Sequence, residues 1–219
     1  AGGFEATIFG ARVVGSVTTL ALEGEDGPLA SQKLRAVASD RAGGWYVTTP
    51  ASALNVSAAG RIRTVATCEE CRGIALSPDG SAMFFADYSN HKILRAEVAT
   101  GAVTTFAGSD ERGDADGVGD AAQFHKPAGV TISPDGGALF VADFGNHKIR
   151  RVEVATGAVT TLAGGGGAGG ADGVGDAAQF CEPAGIAISP DGGVLFVADS
   201  GNNKIRRVEV ATGAVTTIA

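Results

Sequence analysis

The sequence predicts an all-β fold: a β-propeller built from four-stranded antiparallel blades, with about four and a half blades in this chain. The main observation is an internal repeat with a period of 56 residues, because residues 127–163 and 183–219 differ at only six of 37 positions. Each repeat contains four short apolar segments separated by turn residues, and none carries a helical apolar stripe. Sheets that are apolar on both faces must be covered on both sides, and stacked repeats supply that cover. We therefore treat residues 1–219 as a single domain.

The repeat can be followed towards the start of the chain with decreasing similarity. A third copy covers residues 71–107, and a degraded copy covers about residues 34–66. A partial blade is expected at residues 4–22, where only the tail of a repeat is recognisable. The degraded copy contains Trp45 and Tyr46 at positions that are expected to pack in the core.

One repeat predicts the strand pattern of all of them. Four strands are expected, at Gly129–Ser133, Ala138–Ala142, His147–Val154 and Val159–Ala163. Pro134-Asp135-Gly136, Asp143–Asn146 and Thr156-Gly157 provide the turns, since Pro presets φ and Gly, Asn and Asp accept turn geometry. Ile149, Val152 and Val154 do not fit one period of two, which predicts a β-bulge near Arg150–Arg151.

The second turn and third strand carry a family resemblance. The pattern consists of Asp143, Asn146, His147, Lys148, Ile149 and Arg150, preceded by Ser133-Pro134-Asp135-Gly136, and it returns at Asn90–Ile93 and Asn202–Ile205. It resembles the NHL repeat, as do the links at residues 115–124 and 171–180. The resemblance implies a propeller that usually closes with six blades, so this chain is expected to supply an incomplete one.

Composition and charge narrow the classes of partner. The formal net charge of −7 argues against a phosphate-binding face, so nucleic acid is not an expected partner. The sequence has no apolar run of about 18 residues, which a membrane span would need. The compartment is left open, with a lean towards an extracellular or organelle-lumen location because of the acidic chain and the paired cysteines.

An enzyme on the propeller axis is the first alternative function. Propeller hydrolases and lyases hold a metal with His, Asp or Glu on the innermost strands. The innermost strands are expected at residues 35–39, 73–77, 129–133 and 185–189, and they contain none of these three residue types. We therefore expect no catalytic residue, no metal site and no cofactor, and a channel-metal hydrolase or lyase stays as the alternative.

Three cysteines and an acidic link offer further candidates. Cys68 and Cys71 form a C-x-x-C motif, which is typical of a small disulfide loop, a redox pair or half of a zinc site. His125 and Cys181 occupy similar positions in other links, but the ring should hold these points too far apart for one ion. The link at Asp114–Asp120 lacks the ligand spacing of a calcium loop, so turn chemistry is favoured there. A local disulfide between Cys68 and Cys71 is the preferred interpretation.

The third strands carry a repeated row of basic residues, which raises an RNA-binding NHL module as a further alternative. The row consists of Lys92, Arg95, Lys148, Arg150, Arg151, Lys204, Arg206 and Arg207. Glu97, Glu153 and Glu209 stand in the same strands, so cross-strand ion pairing on a solvated face is the simpler interpretation.

The expected function is a non-catalytic scaffold that binds protein partners within a larger assembly. Near-identical repeats single out no blade for a nucleophile or a base, so the positions that differ between them are the candidate contacts. These positions are Tyr88, Phe144 and Ser200 in one turn, together with His125, Lys126 and Glu182 in the links.

Overall fold

The computed structural model describes residues 2–8, 11–17, 34–39, 44–57, 62–165 and 167–219, the first two ranges through their backbone only. A two-stranded antiparallel sheet joins β1 (Gly2–Ile8) to β2 (Ala11–Val17). The remainder of the partial blade expected at residues 4–22 lies outside the described residues.

Four larger antiparallel sheets follow, and we call them blades 1 to 4. Blade 1 contains β3 (Ala36–Ser39), β4 (Trp45–Thr48), β5 (Ser52–Val56) and β6 (Ile62–Thr67). Blade 2 contains β7 (Cys71–Leu76), β8 (Ala82–Asp87), β9 (Lys92–Glu97) and β10 (Val103–Ala107). Blade 3 contains β11 (Gly117–Val118), β12 (Pro127–Ile132), β13 (Ala138–Asp143), β14 (Lys148–Glu153) and β15 (Ala158–Ala163). Blade 4 contains β16 (Gly173–Val174), β17 (Pro183–Ile188), β18 (Val194–Asp199), β19 (Lys204–Glu209) and β20 (Ala214–Thr217).

Each blade is a meander of four sequential antiparallel strands, which confirms the predicted fold class. In blades 3 and 4 the preceding link adds a short fifth strand, β11 or β16, beside the last strand of the blade. Short 3₁₀ turns lie in the links and after the second strands, at Gly119–Ala121, Phe144–Asn146, Gly175–Ala177 and Ser200–Asn202.

The first strands of the blades lie beside one another around a common axis. β3 contacts β7, β7 contacts β12, and β12 contacts β17. Glycine makes this approach possible: a Cβ atom on Gly73 would lie 2.5 Å from the Ala128 carbonyl oxygen, and one on Gly129 would lie 2.2 Å from that of Ala184. The repeated glycine of the inner strand is therefore a packing requirement between neighbouring backbones.

The hydrophobic core lies between the blades. One buried cluster joins blades 1 and 2, a second joins blades 2 and 3, and a third joins blades 3 and 4. Phe124 and Phe180, from the two longer links, are fully buried in the second and third clusters. All six residues of β8 and of β13 are buried, as the apolar character of both their faces predicts.

The two aromatic residues of blade 1 have different surroundings. Tyr46 is 4% exposed and belongs to the cluster between blades 1 and 2. Trp45 is 42% exposed, so the expectation that both side chains pack in the core is wrong for Trp45. Adjacent residues of a strand point to opposite faces, and only one of these faces meets blade 2.

The strand register shifts between Ile149 and Arg150, where a bulge was predicted, and the extra residue is Leu162 on β15. The broken apolar period has a second cause, because Arg150 is itself fully buried. Its guanidinium lies 5.3 Å from the ring centre of Phe124. Arg150 therefore lies on the same buried face of β14 as Val152.

Arg150 and its counterpart Arg206 contradict the interpretation of the basic row as a solvated face. Arg150 donates to Asp143 Oδ2 at 2.9 Å, to Asp116 Oδ1 at 2.7 Å, and to the carbonyl oxygens of Gln123 and Ala115. Arg206 makes the equivalent four bonds in blade 4. In both blades a buried arginine of the third strand therefore hydrogen-bonds both the link and the aspartate at the end of the second strand.

The more exposed members of the row form ion pairs, but within a strand and not across strands as predicted. Arg95 pairs with Glu97, Arg151 with Glu153 and Arg207 with Glu209, two residues further along the same third strand. Lys92 and Lys148 instead reach acidic residues of the links, Asp110 and Asp114.

Candidate interaction surface

Two aromatic side chains from adjacent blades meet at one end of the propeller. Tyr88 follows β8, and Phe144 follows β13, so the same turn of the repeat presents each of them. Their ring centres lie 5.9 Å apart with an interplanar angle of 64°, an edge-to-face arrangement. Ser200 occupies this position in blade 4 and is exposed. The repeat therefore places different chemistry at one fixed position of each blade.

Cationic side chains surround Tyr88. The Arg72 guanidinium carbon lies 3.4 Å from the centre of the Tyr88 ring, and Lys126 Nζ lies 5.7 Å from it. Arg72 also donates from Nε and Nη2 to Glu70 Oε1, at 3.2 and 2.9 Å. Because the Tyr88 ring and the Glu70 carboxylate both contact it, the Arg72 guanidinium has a fixed orientation at the protein surface. We call Arg72, Tyr88, Lys126 and Phe144 the aromatic rim.

Glu70 is the carboxylate that anchors the aromatic rim. Burial raises the pKa of Glu70, but hydrogen bonds from Arg72 and Ser89, with the charges of Arg72 and Arg35, outweigh burial and hold the pKa below its ordinary value. Arg35 Nη2 lies 3.6 Å from Glu70 Oε1. One ionised carboxylate therefore faces two guanidinium groups.

The candidate link residues share a contact with the preceding blade. Lys126 donates its backbone N–H to Nδ1 of His91 at 3.1 Å, and Glu182 donates to Nδ1 of His147 at the same distance. Lys126 and Glu182 have φ values of 56° and 53°, and both are exposed. The turn fixes these backbones and leaves their side chains directed away from the core.

Histidine serves as a turn residue in this arrangement. His91 and His147 have left-handed φ values of 60° and 57°, and Asn203 takes the same conformation at 54°. Histidine and asparagine tolerate this region better than most residues, which accounts for their exchange between repeats. His125 lies edge-to-face against His91, with ring centres 5.6 Å apart.

The cysteines lie at the same end of the blades. The sulfur atoms of Cys68 and Cys71 are joined in the structure, and their Cα atoms are 5.7 Å apart, a separation typical of a disulfide. Cys181 is unpaired and half-buried, and its backbone N–H donates to Asp199 Oδ1 at 2.7 Å. The oxidation state of Cys68 and Cys71 in solution stays a prediction.

Arg35 and Arg72 also line a cavity of about 360 Å³ between the first strands of blades 1 to 4. The sequence interpretation missed them because it searched the inner strands for His, Asp and Glu alone. A signal was present: Arg72 occupies the repeat position that Ala128 and Ala184 occupy in the later copies. At this position blade 2 has the cationic side chain of arginine, whereas blades 3 and 4 have the methyl group of alanine.

Among the residues that the structure describes, no cluster of three or more His, Cys, Asp or Glu side chains is arranged to hold a metal ion. No helix in this part of the chain has the length and apolar character needed to cross a membrane.

Comparison with known proteins identifies the repeat. The NHL repeat profile matches residues 124–151 and 180–207, which contain the first two strands, the following turn and the start of the third strand of blades 3 and 4. Protein SUPPRESSOR OF QUENCHING 1, chloroplastic, from Arabidopsis thaliana is 39% identical over 149 residues, which cover 64% of this chain and 14% of that protein. NHL repeat-containing protein 2 from Bos taurus is 35% identical over 156 residues, covering 66% and 21%. The chain thus spans about a fifth or less of the length of these relatives.

Solved structures show the same fold at low sequence identity. An auxiliary nutrient binding protein from Bacteroides thetaiotaomicron matches with a TM-score of 0.69 at 18% identity, covering 88% of this chain and 49% of that chain. A chain of a nidogen/laminin complex matches at 0.68 and 17%, covering 87% and 66%. Virginiamycin B lyase from Staphylococcus aureus matches at 0.61 and 17%, covering 99% and 62%. The chain therefore carries NHL repeats at residues 124–151 and 180–207, and it folds into the blades of a β-propeller.

Proposed function

We propose that this chain is a non-catalytic NHL-repeat scaffold that binds a protein partner through the aromatic rim. The observation that carries the proposal is the contact of Arg72, Tyr88 and Phe144 across the boundary between blades 2 and 3. Tyrosine and arginine are enriched among the residues that dominate protein-binding energy. Their mutual contacts reduce the conformational entropy that a partner would have to overcome.

The variation between repeats supports the same proposal. Blades 3 and 4 are nearly identical in sequence, yet Phe144 is replaced by Ser200, and Lys126 by Glu182. Such differences on a shared backbone change the chemistry of the surface without changing the fold. The structural neighbour from a nidogen/laminin complex adds support, because that propeller-like chain was solved together with a protein partner.

The test compares partners captured by the wild-type chain with those captured by a Tyr88→Ala/Phe144→Ala variant. A matched control, Arg95→Ala/Arg151→Ala, changes two side chains that form exposed ion pairs away from the rim. We expect a protein that co-purifies with the wild type and the control, and that the rim variant loses by at least about tenfold. Circular dichroism of all three proteins checks that the fold is kept.

Three outcomes would contradict the proposal. Equal capture by the rim variant would remove the aromatic rim from the interface. Salt-sensitive retention of single-stranded RNA on a filter would favour the RNA-binding alternative, and stoichiometric divalent metal in the purified protein would favour the channel-metal hydrolase or lyase.

A further inference from the structure

The axial cavity has two chemically different walls. Blades 1 and 2 contribute Arg35 and Arg72, the charged residues among its described lining, together with the apolar Ala36, Val37 and Ile74. The wall from blades 3 and 4 is wholly apolar and is formed by Ala128, Val130, Ala184 and Ile186 with the intervening glycines. A cavity lined by two cations and otherwise by apolar groups suits an amphipathic anion.

The two arginines are held in place at the cavity. Arg72 is stacked on Tyr88 and bound to Glu70, and the Thr48 hydroxyl donates to the Arg72 carbonyl oxygen. Arg35 is fixed to blade 1 by its backbone N–H, which donates to the Thr48 carbonyl oxygen at 2.8 Å. Thr48 therefore hydrogen-bonds the backbones of both arginines and holds them close to one another.

Among the described residues, Glu70 is the acidic partner of both guanidinium groups, and it approaches Arg72 closely but Arg35 only at 3.6 Å. The side chains of Arg35 and Arg72 remain 37% and 27% exposed. In this part of the chain two cations therefore face one carboxylate, and donors remain that a planar carboxylate can bind in bidentate fashion.

We propose that the axial cavity binds a small aliphatic carboxylate, with its carboxylate at Arg35 and Arg72 and its apolar body against Ala184 and Ile186. The volume of about 360 Å³ lies at the lower end of the range for ligand pockets and is sufficient for a carboxylate with a short, branched apolar body. Inorganic anions fit less well because the apolar wall offers no replacement for their hydration. The inference goes beyond the proposed function and does not depend on a partner at the aromatic rim.

Isothermal titration calorimetry with 4-methylpentanoate tests the site on the intact chain. We expect one ligand per chain, binding that weakens as salt is added, and affinity at least about tenfold higher than for the uncharged 4-methylpentanamide. Acetate and inorganic phosphate should also bind at least about tenfold more weakly, because they have no apolar body.

Substitution of each arginine tests whether Arg35 and Arg72 bind the carboxylate of the ligand. Arg35→Gln and Arg72→Gln should each lower the affinity for 4-methylpentanoate by about tenfold or more, whereas Arg95→Gln should leave it unchanged. Ala184→Phe keeps both cations but fills the apolar wall, and it should abolish binding. If Arg72→Gln fails to fold, the exposed Arg35 and the cavity-filling variant still decide the question.

Several results would overturn the inference. These are an absence of binding at millimolar ligand, equal affinity for the amide, equal affinity for phosphate or acetate, and unchanged affinity in folded Arg35→Gln. Loss of partner capture by the Tyr88→Ala/Phe144→Ala variant would not affect it, so the two proposals fail separately.

Discussion

The buried arginine is the residue on which blades 3 and 4 most depend. Arg150 is fully buried and bonded to Asp143, which is fully buried as well. Arg150→Leu would leave the Asp143 carboxylate without its cation, and breaking a buried pair on one side costs about 3–5 kcal/mol. We expect the free energy of unfolding, measured by urea denaturation, to fall by about that amount.

Blade 2 already has the arrangement that Arg150→Leu would create, with Leu94 at the position of Arg150 and the buried Asp87 at that of Asp143. The Asn90 amide donates to Asp87 Oδ2 at 3.0 Å, and Asp87 Oδ1 has no hydrogen-bond partner among the described residues. If the loss in Arg150→Leu comes from the orphaned carboxylate, Asp143→Asn added to Arg150→Leu should restore part of the stability. Arg151→Leu is the control, since its exposed ion pair is worth about 1 kcal/mol or less. An equal loss in both single variants would contradict this account.

His91 makes the stability of the turn depend on pH. Its Nδ1 accepts the Lys126 backbone N–H, so this turn holds a neutral imidazole. Burial lowers the pKa of His91, and the positive charges of His125, Lys126 and Arg112 lower it further, with Asp87 acting in the opposite direction. Because the folded pKa lies below the unfolded value, the unfolded chain binds more protons as the pH falls through about 6.5. Stability is therefore lost on acidification in that window.

Asparagine offers a substitution that keeps the turn and removes the titration. Asn203 already adopts the same left-handed conformation in blade 4. We expect the urea midpoint of the wild type to fall more between about pH 7.5 and about pH 5.5 than that of His91→Asn. Identical pH dependence in the two proteins would show that His91 does not carry the effect.

At the scale of the strand, the inner glycines can be tested against each other. Ala at Gly129 would bring its Cβ within 2.2 Å of the Ala184 carbonyl oxygen, whereas at Gly185 the nearest contact is the Ala198 Cβ at 3.5 Å. Gly129→Ala should destabilise the chain by about 1–3 kcal/mol, as overpacking does. Gly185→Ala, the matched control, should be neutral or slightly stabilising in the same urea titration. Equal effects would mean that the inner strands are not held this closely.

The link between blades 1 and 2 makes a prediction about thiol chemistry. If Cys68 and Cys71 form a disulfide, the denatured but unreduced chain should titrate one thiol, that of Cys181. After reduction it should titrate three, the full cysteine content. Three thiols before reduction, in protein purified without reductant, would contradict the pairing.

The elements show what the sequence could and could not predict. Repeat spacing, turn residues and apolar runs predicted the strands of blades 2 to 4, since local chemistry specifies each turn. The burial of Arg150 was not predictable from its strand, because its partner Asp116 lies 34 residues earlier in a link. The contact of Arg72 with Tyr88 also depends on where two separate strands end. Local patterns predict the elements, whereas pairing between distant polar groups requires the assembled blades.

For the whole molecule, the decisive feature is that stability resides between blades. The three main clusters each join two blades, so a blade is stable only with a neighbour against its apolar face. Blade 4 covers the face of blade 3 that contains Ile149, and Ile149 is fully buried. The equivalent face of blade 4 is more exposed, since its Ile205 is 39% exposed. The near identity of the last two repeats means that another copy should fit this face as blade 4 fits blade 3.

This reasoning predicts the effect of extending the chain. Fusing a second copy of residues 164–219 after Ala219 should cover Ile205 and raise the free energy of unfolding by about 2 kcal/mol or more, since burying one large apolar side chain contributes about 1.5–3 kcal/mol. Urea denaturation should show one cooperative transition at a higher midpoint. The same extension carrying Leu195→Asp in the added copy should give no gain, because Leu195 belongs to the buried cluster between blades 3 and 4. An unaltered midpoint with a separate transition for the added copy would mean that blades do not stabilise one another through these faces.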